Sequence, residues 1–378
     1  MNQVLRKAHI VPLLLISAVL AGVLLLGSCE KKDAASATGE GSKKLVRFPV
    51  PFSPTGYNQI LTPISQEEGF YREEGLDVIF ETLTGGSNVD SITAALTGKV
   101  RLSNTAGSTA PLVYLEEEGA KFLIIGGAMS DNGALLIPRG KESEWEGFTP
   151  EKMAGKRIGV RRANSQDTAF RAFLARRGVD LSQVNVVELD NHPTSIEGVM
   201  KGELDGAVVV GIYRTAGQDR GLTLYQNIDD LFGHFVCCRV IVSADHVRAN
   251  RDQYVSYLAA HIKAYRVFIT DPERTIAIGR KYLSDIDEAV LRRELYEVGH
   301  LDIHPDPEGD RIRDFYQALI DIGYCKGPLE RIEPYIDPSI YKDALDRVIS
   351  QYPDEPFYQE MYKHFQELNT GYIHNGTS

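Results

Sequence analysis

The sequence predicts an α/β fold with two similar lobes and a group of helices at the carboxyl end. Three observations support this prediction. Short apolar, β-branched runs alternate with stretches of helical spacing over the first two thirds of the chain. A helix-and-glycine pattern occurs twice, and strand-like runs stop after Arg251.

Eight runs have the length and the β-branched character of buried strands. They are residues 45–50, 76–83, 122–128, 134–138, 157–160, 184–189, 204–210 and 236–243. After Arg251, two apolar stripes at helical spacing predict helices packed on the lobes. The stripes are Val255, Leu258, Ile262, Tyr265 and Ile269, and Ile312, Phe315, Leu319 and Ile322.

The repeated pattern begins at Ser91-Ile92 and again at Ser195-Ile196. In each copy an apolar helix face is followed by a glycine, Gly98 or Gly202, in the position that ends a helix. A short strand is expected directly after each glycine. We interpret the two copies as equivalent units of two lobes, whereas two ordinary helix-turn-strand units are the alternative.

The amino end has the order of an export signal. Arg6 and Lys7 precede an apolar run over residues 10–26, and the run ends before Cys29. The ending resembles the lipobox of bacterial lipoproteins, which implies a signal peptide over residues 1–28 and diacylation of Cys29. The alternative is a plain transmembrane anchor, because the run is at the lower end of the roughly 17–25 residues that a spanning helix needs. Residues 29–44 are small and charged, and they predict a flexible tether.

Composition excludes several classes of protein. The chain of 378 residues has a formal charge of -11, so it lacks the basic surface that nucleic-acid binding requires. Its length suits two domains. Four cysteines are too few for a disulfide framework or a four-thiolate zinc site beside a lipidated Cys29. If Cys29 is lipidated, Cys237, Cys238 and Cys325 remain, so at most one disulfide can form among them and one thiol stays unpaired; the sequence does not indicate which.

Motifs of common enzymes are missing from the sequence. It contains no HExxH, no Gly-x-Ser-x-Gly, no dinucleotide fingerprint and no phosphate loop, so no cofactor is predicted. Residues 302–310 are acidic but lack calcium-loop spacing, and a solvated loop without a metal is expected. His234 lies near Cys237 and Cys238, and the apolar run around these two thiols favours a buried strand.

Two strand-loop-helix junctions are candidates for a ligand site. Residues 102–111 and 157–167 leave short strands through hydroxyl, amide and glycine residues, and helices are predicted from near Pro111 and from Asp167 to Gly178. Such junctions place free N–H groups at the carboxyl ends of strands, where α/β sheets bind ligands. Ordinary capped helices are the alternative, because Ser, Thr and Asn are common N-caps.

Four motifs carry a family resemblance. They begin at Glu68-Gly69-Phe70-Tyr71, Gly85-Gly86-Ser87-Asn88, Ala154-Gly155-Lys156 and Lys201-Gly202-Glu203. Residues 45–283 resemble the solute-binding proteins of ABC transporters in the nitrate, sulfonate, taurine and thiamine-precursor group. The resemblance implies a type II-like periplasmic-binding-protein fold with a hinge. It also implies lobe one at 45–137 and 240–378, lobe two at 138–239, and a monomer that delivers a small solute to an ABC permease and its ATPase.

The same resemblance implies which residues line a cleft between the lobes. Those of lobe one are Tyr57, Asn58, Ser87, Asn88, Gly107, Ser108 and Thr109. Those of lobe two are Arg162, Asn164, Ser165, Gln166 and Tyr213. Either Arg162 or its neighbour Arg161 is a candidate for binding an anionic group, and a solvated surface position is the alternative.

The sequence allows two classes of solute. An anionic organic solute suits an arginine, whereas Phe52, Tyr57 and Tyr213 suit a flat heterocycle. Two other functions are alternatives. Similar fungal proteins make the thiamine pyrimidine with a cysteine-rich segment, near which Cys237 and Cys238 would align. A solute-sensing lipoprotein would share the cleft but not the permease.

Overall fold

The structure is a computed structural model that describes residues 44–83, 88–105, 107–115, 120–161 and 164–373. Residues Lys43–Ser378 form one compact unit. The predicted signal peptide, the lipidation site Cys29 and most of the tether lie outside the described residues, as do Ser87 and Arg162. Within the described part, no helix combines the length and the apolar character that a membrane span needs.

Ten strands are present among the described residues, and they include all eight predicted ones. They are β1 Val46–Pro51, β2 Leu76–Glu81, β3 Phe122–Asp131, β4 Ala134–Ile137, β5 Arg157–Arg161, β6 Asn185–Leu189, β7 Gly206–Val209, β8 Thr223–Asn227, β9 Val236–Ser243 and β10 Leu301–Asp302. The sequence did not indicate β8 or β10. The expectation that strands stop after Arg251 is therefore wrong, because β10 pairs with β3.

One layer of the molecule combines strands that lie far apart in the sequence. β1 and β2 are parallel, and β9 is antiparallel to β3, which also carries the short β10. Residues 101–103 connect the two groups: Arg101 N–H donates to the Pro49 carbonyl at 2.8 Å, and Ser103 pairs with Ile241. These contacts align β1, residues 101–103, β9 and β3 in one layer.

The other layer is a five-stranded sheet in the order β6-β5-β7-β4-β8. β5 is parallel to both β6 and β7, whereas β4 is antiparallel to β7 and β8. Parallel neighbours require helical crossovers, and the crossovers here cover the sheet on its faces. The mixed sheet and its helices confirm the predicted α/β class.

Helices make up much of the remaining chain. They are α1 Leu61–Glu67, α2 Phe70–Glu73, α3 Asn88–Leu96, α4 Thr109–Tyr114, α5 Pro150–Met153, α6 Ser165–Arg176, α7 His192–Met200, α8 Gly211–Asp219, α9 Ile228–Phe232, α10 Ala244–Thr270, α11 Pro272–Tyr282, α12 Glu288–Arg292, α13 Gly309–Asp321, α14 Ser339–Gln351, α15 Pro356–Leu368 and α16 Thr370–Ile373. Shorter 3-10 segments are Tyr57–Gln59, Glu142–Glu144, Glu146–Phe148, Leu181–Gln183 and Leu329–Tyr335, and Arg293–Glu297 is a π-helix.

The predicted stripes pack in the core except at their last residues, Ile269 and Ile322; Ile322 follows the end of α13 and is only partly buried. Val255, Leu258 and Ile262 of α10 are buried, but Ile269 is 47% exposed near the carboxyl end of that helix. The prediction for Ile269 is wrong because α10 ends at Thr270, where the helix leaves the core. In α13 the stripe residues Ile312, Phe315 and Leu319 are buried.

The repeated pattern is helical in both copies. α3 and α7 end before Gly98 and Gly202, whose φ angles of 79° and 73° are in the left-handed region that favours glycine. A regular strand, β7, follows Gly202. After Gly98 the chain forms only the single bridge at Ser103, so the expected strand there is wrong.

The chain passes between the two layers at two places. The first passage follows β3, where Asp131 and Asn132 have φ angles of 60° and 68°. The second lies between β8 and β9 and includes Phe235. The passages are bonded to each other, because Asp131 N–H donates to the Phe235 carbonyl and Phe235 N–H donates to Asp131 Oδ1, at 2.8 and 2.9 Å.

Residues 302–310 are not the solvated acidic loop that the sequence suggested. Residues 303–309 are buried, and Glu308 is 0% exposed with a φ of 54°. The Glu308 carboxylate accepts hydrogen bonds from Ser130 at 2.9 Å, from Arg311 at 2.7 Å and from Arg239 of β9. The segment is buried because cationic side chains from other elements compensate its charge.

Candidate functional site

A cleft of about 420 Å³ opens between the two layers. One wall comes from the loop after β1 and from residues near Thr82 and Gly107. The opposite wall comes from the start of α6, the start of α7 and Tyr213 of α8. Strand β9 contributes Cys237 and Cys238. The cleft therefore lies at the carboxyl ends of several strands, which is where α/β sheets commonly bind ligands.

The structure brings most of the predicted site residues together. Those that line the cleft are Tyr57, Asn58, Gly107, Asn164, Ser165, Gln166 and Tyr213. Ser108 and Thr109 do not line it: both are buried where α4 begins, and the Thr109 hydroxyl lies 2.9 Å from that of Thr168. Asn88 starts α3, and its side chain lies outside the described set. Arg161, the neighbour of Arg162, lines the cleft and is half-buried.

The loop after β1 is held by side-chain amides. Gln59 Nε2 donates to the Pro51 carbonyl at 2.7 Å, and Gln59 Oε1 accepts the Ser53 N–H at 3.1 Å. Asn58 Nδ2 donates to the Asn104 carbonyl at 3.1 Å. These bonds fix the turn that presents Tyr57, a residue 4% exposed. Burial raises the pKa of Tyr57 well above its usual value, so its hydroxyl stays protonated and can donate.

The start of α6 is bonded to β9 across the cleft. The Ser165 hydroxyl donates to the Cys237 carbonyl at 3.0 Å. Gln166 Nε2 donates to the Asn132 carbonyl at 2.7 Å and contacts Cys237 Sγ at 3.1 Å. The predicted junction at residues 157–167 therefore does more than cap a helix, because its side chains connect the two layers.

Asn132 links the walls of the cleft although it does not line it. Its Nδ2 donates to the Tyr57 hydroxyl, and its Oδ1 accepts the Gly211 N–H at 2.7 Å. Gly211 is the first residue of α8, so the amide joins the loop after β1 to a helix of the other layer. Sequence reasoning missed Asn132 as a linking residue. Asp131-Asn132-Gly133 indicates a turn with left-handed residues after the strand, but it does not indicate the partners of the Asn132 side chain.

His192 is a further cleft residue that the sequence analysis missed. It begins α7 directly after Asn191, whose Oδ1 accepts the Thr194 N–H at 2.9 Å. The His192 ring packs on Tyr213 with centroids 4.9 Å apart, and its Nε2 lies 3.3 Å from Asn164 Nδ2. Burial, with a smaller effect of Arg161, lowers the pKa of His192 to about 3. The imidazole is therefore neutral at physiological pH.

The neutral state of His192 predicts a specific pH dependence. In the unfolded chain its pKa is near 6.5, so the stability it contributes is complete above pH 6.5 and falls as the pH drops towards 3. Relative to His192→Gln, the wild type should lose up to about 1.4 kcal/mol per pH unit in this window. Urea unfolding of both proteins between pH 7.5 and 4.5 measures the difference. A difference that is constant with pH would contradict a buried neutral imidazole.

Aromatic rings flank the cleft. Phe52 lines it and stacks on Phe80 with centroids 4.8 Å apart at an interplanar angle of 20°. Tyr213 and His192 form the other aromatic pair, on the opposite wall. Between them lie amide groups that can both donate and accept hydrogen bonds. The arrangement suits a small planar molecule with polar edges.

Two groups of side chains in the described part have metal-like spacing, and both lie outside the cleft. They are His304, Asp306 and His364, and Asp229, Asp230 and His300, with ligand atoms within 4.8 Å of one another. In the first group His304 Nδ1 already accepts the Asp306 N–H at 3.0 Å. In the second, His300 Nδ1 pairs with Asp229 at 2.6 Å. Each group is satisfied in part by its own members, and we assign no metal to either.

Solved structures similar to this chain share its architecture. The periplasmic nitrate-binding protein of Synechocystis PCC 6803 is 11% identical with a TM-score of 0.66, covering 82% of this chain and 90% of that chain. The alkanesulfonate-binding protein of Xanthomonas axonopodis pv. citri bound to MOPS is 16% identical, with a TM-score of 0.58 and coverages of 79% and 99%. A Candida albicans protein with the generic periplasmic binding protein fold is 13% identical, with a TM-score of 0.60 and coverages of 78% and 97%.

One of two sequence comparisons places this chain in a family. No curated protein matches it by sequence. The family model described as NMT1/THI5 like matches residues 60–275, which is more than half of the chain. The predicted resemblance is thereby confirmed at the level of the family and of the fold. The chain has a periplasmic-binding-protein fold and belongs to the NMT1/THI5-like family.

Proposed function

We propose that this protein is an extracytoplasmic solute-binding protein that captures one small molecule and delivers it to an ABC importer. The observation that carries the proposal is the cleft of about 420 Å³, whose walls come from both layers. Structural neighbours described as nitrate-binding and alkanesulfonate-binding proteins support the same role. The partners are a membrane permease and its ATPase, and the protein acts as a monomer without changing the solute chemically.

The lobes expected from the sequence are residues 45–137 with 240–378, and residues 138–239. Because β4 pairs in the five-stranded sheet and all of β9 pairs with β3, we place both boundaries a few residues earlier, at the passages near Asn132 and Phe235. The hinge is formed by the two passages of the chain near Asn132 and Phe235, which are bonded to each other. The solute closes the lobes only to the extent that it binds the closed form more tightly than the open form.

A flat heterocycle with polar edges is the solute class that the walls favour. Phe52 and Tyr213 offer aromatic faces, and Asn58, Asn164 and Gln166 offer amide donors and acceptors. The neutral His192 adds no charge. An anionic organic solute is the second candidate, because Arg161 is half-buried in the cleft beside the start of the twelve-residue α6.

A thermal-shift screen of residues 43–378 tests the function and separates the two classes. One arm contains pyrimidines and flavins, and the other contains sulfonates and nitrate. A true solute at 100 times its dissociation constant should stabilise the folded state by about 2.7 kcal/mol. Arg161→Gln should abolish a response to anions and leave a response to heterocycles nearly intact. Recovery of a chemically altered product would instead support the enzyme alternative.

Lipid anchoring through Cys29 is a further part of the proposal. It is supported by the apolar run at residues 10–26 and the small residues before Cys29. Two acyl chains would anchor the protein durably, since a single chain gives only marginal membrane binding. Labelled palmitate should appear on the wild type expressed in bacteria and be absent from Cys29→Ala. Equal labelling of both proteins would rule out this modification.

A further inference from the structure

Two thiols lie side by side where β9 meets the cleft. Cys237 and Cys238 both line the cleft, and their Sγ atoms are 3.6 Å apart. Successive side chains of a regular strand point to opposite faces, so this arrangement requires an irregular strand. The pairing of β3 with β9 shifts register on both sides of Met129, which is the partner of Cys238. Such irregularities redirect side chains, and here they bring neighbouring thiols into one cavity.

The surroundings of the pair make the two sulfur atoms unequal. Gln166 Nε2 donates to Cys237 Sγ at 3.1 Å. The pKa of Cys237 is lowered by a hydrogen bond from the Cys238 thiol and by the Gln166 amide, in spite of burial. The pKa of Cys238 is raised by the same thiol contact and by burial. Cys237 therefore becomes a thiolate first, and the thiolate is the form that attacks a disulfide.

We propose that Cys237 and Cys238 form a thiol–disulfide exchange site that reacts with a low-molecular-weight disulfide entering the cleft. In the first step the Cys237 thiolate attacks one sulfur of the small disulfide. A bond forms between Cys237 and that sulfur, the original sulfur–sulfur bond breaks, and its electron pair leaves with the other half as a thiolate.

The second step closes a bond between the two neighbouring residues. Cys238 gives its proton to the departed thiolate and attacks Cys237 Sγ, which releases the second half of the small molecule as a thiolate. Two protein thiols are oxidised to one disulfide, and one small disulfide is reduced to two small thiols. The proton that Cys237 lost on ionising neutralises the second thiolate, so atoms, charges and electrons balance.

The two sulfur atoms have only a short distance to move, and the disulfide that they form is easily reduced again. The Sγ atoms must approach from 3.6 Å to about 2.05 Å. Neighbouring Cα atoms are only about 3.8 Å apart across a trans peptide, which is below the usual span of about 4.4–6.8 Å in disulfides. The bond between Cys237 and Cys238 is strained for that reason, and strained disulfides are reduced more easily.

Oxidation of the pair changes the cleft. Ring closure moves Cys237 Sγ, so the Gln166 amide loses its sulfur partner and is free to donate to a molecule in the cleft. This consequence rests on the proposed solute-binding function, because it makes solute affinity depend on the redox state. The exchange reaction itself does not depend on any solute.

The test uses residues 43–378 in the absence of solute. The reduced protein is treated with oxidised glutathione, the reaction is quenched with acid, and the intact mass and the alkylated cysteines are determined. The wild type should lose two hydrogen atoms, gain no glutathione, and lose alkylation at Cys237 and Cys238 while keeping it at Cys325. Cys238→Ser should retain one glutathione on Cys237, because the second step is blocked.

Cys325→Ser is the matched control, since Cys325 is buried near Leu112, does not line the cleft, and should leave the reaction unchanged. A wild type that keeps both cleft thiols alkylatable, or that accumulates a stable glutathione adduct, would overturn the proposal. If Cys238→Ser does not fold, the mapping of the wild type decides the question. A solute response with no thiol exchange would remove this inference and leave the proposed function intact.

Discussion

Glu308→Gln should lower the free energy of unfolding by about 3–5 kcal/mol, because it removes one partner of a buried ion pair. Glu308 and Arg239 have side chains 0% and 1% exposed, and the pair also contacts Ser130 and Arg311. Glutamine keeps the shape of the side chain but not its charge. The variant leaves the Arg239 guanidinium buried without a carboxylate, and urea unfolding at pH 7.5 measures the loss.

Two further variants separate charge burial from general damage. Glu333→Gln is the surface control: its pair with Arg313 is 3.5 Å long and largely solvated, so it should cost less than about 1 kcal/mol. The double variant Arg239→Met, Glu308→Leu should lose less free energy of unfolding than the sum of the losses of the single variants Arg239→Met and Glu308→Leu. Additive losses would show that Arg239 and Glu308 do not stabilise the fold as a pair.

The pKa of Glu308 determines how the destabilisation of Glu308→Gln depends on pH. Hydrogen bonding to His364 and the charges of Arg239 and Arg311 hold this pKa far below the usual 4.5 in spite of burial. The stability from Glu308 is therefore present above pH 4.5 and is lost as the pH falls below that value. The difference in the free energy of unfolding between wild type and Glu308→Gln should narrow as the pH falls through this acidic range. It should also narrow as the pH rises above 6.5, because, in spite of burial, Glu308 raises the pKa of His364 and this contribution is lost when His364 gives up its proton.

The strands were largely predictable because strand burial leaves a local pattern. β3 and β9 are continuous apolar runs that are buried along nearly their whole length. β8 was missed because Thr223–Asn227 mixes Thr, Tyr and Gln at the edge of its sheet, where burial is incomplete. β10 has only two residues, which is too short for any periodicity.

The sequence anticipated the lining of the cleft where polar residues directly follow a strand. Asn164, Ser165 and Gln166 were found through the junction after β5. His192 was also within reach of this reasoning, because Asn191 and His192 stand at the junction between β6 and α7. Its polar residues follow a strand in the same way as those of the junction after β5.

Other features depend on contacts that no local pattern contains. Asn132 bonds to Tyr57 and Gly211, which are 75 and 79 residues away along the chain. Glu308 is buried because Arg239, 69 residues away, reaches it from β9. Taken alone, residues 302–310 look like a solvated segment, and only the tertiary partner makes their burial possible.

Gly211→Ala should disturb both stability and solute binding, because an added Cβ has no space. It would lie 2.1 Å from Asn132 Oδ1, 2.5 Å from Glu294 Oε2 and 3.1 Å from the Tyr57 hydroxyl oxygen. Overpacking of this kind costs about 1–3 kcal/mol. Displacing Asn132 also breaks the bonds that position Tyr57. Leaving a buried group of this kind without its partner costs about 1–3 kcal/mol, which corresponds to about a fivefold to 140-fold loss of affinity.

Gly217→Ala in the same helix is the matched control for Gly211→Ala. Its Cβ would meet Leu136 Cδ1 at 2.3 Å, so it also overpacks the structure, but Leu136 is a flexible side chain that does not line the cleft. Gly217→Ala should therefore lose stability and keep its affinity for the solute found by the screen. The difference in affinity is measured by calorimetric titration of both variants at one common temperature. This temperature lies at least about 15 °C below the lower of the two melting temperatures, so that both variants are folded. Equal affinities in the two variants would show that the bonds of Asn132 do not position the binding surface, and that Tyr57 reaches the solute without them.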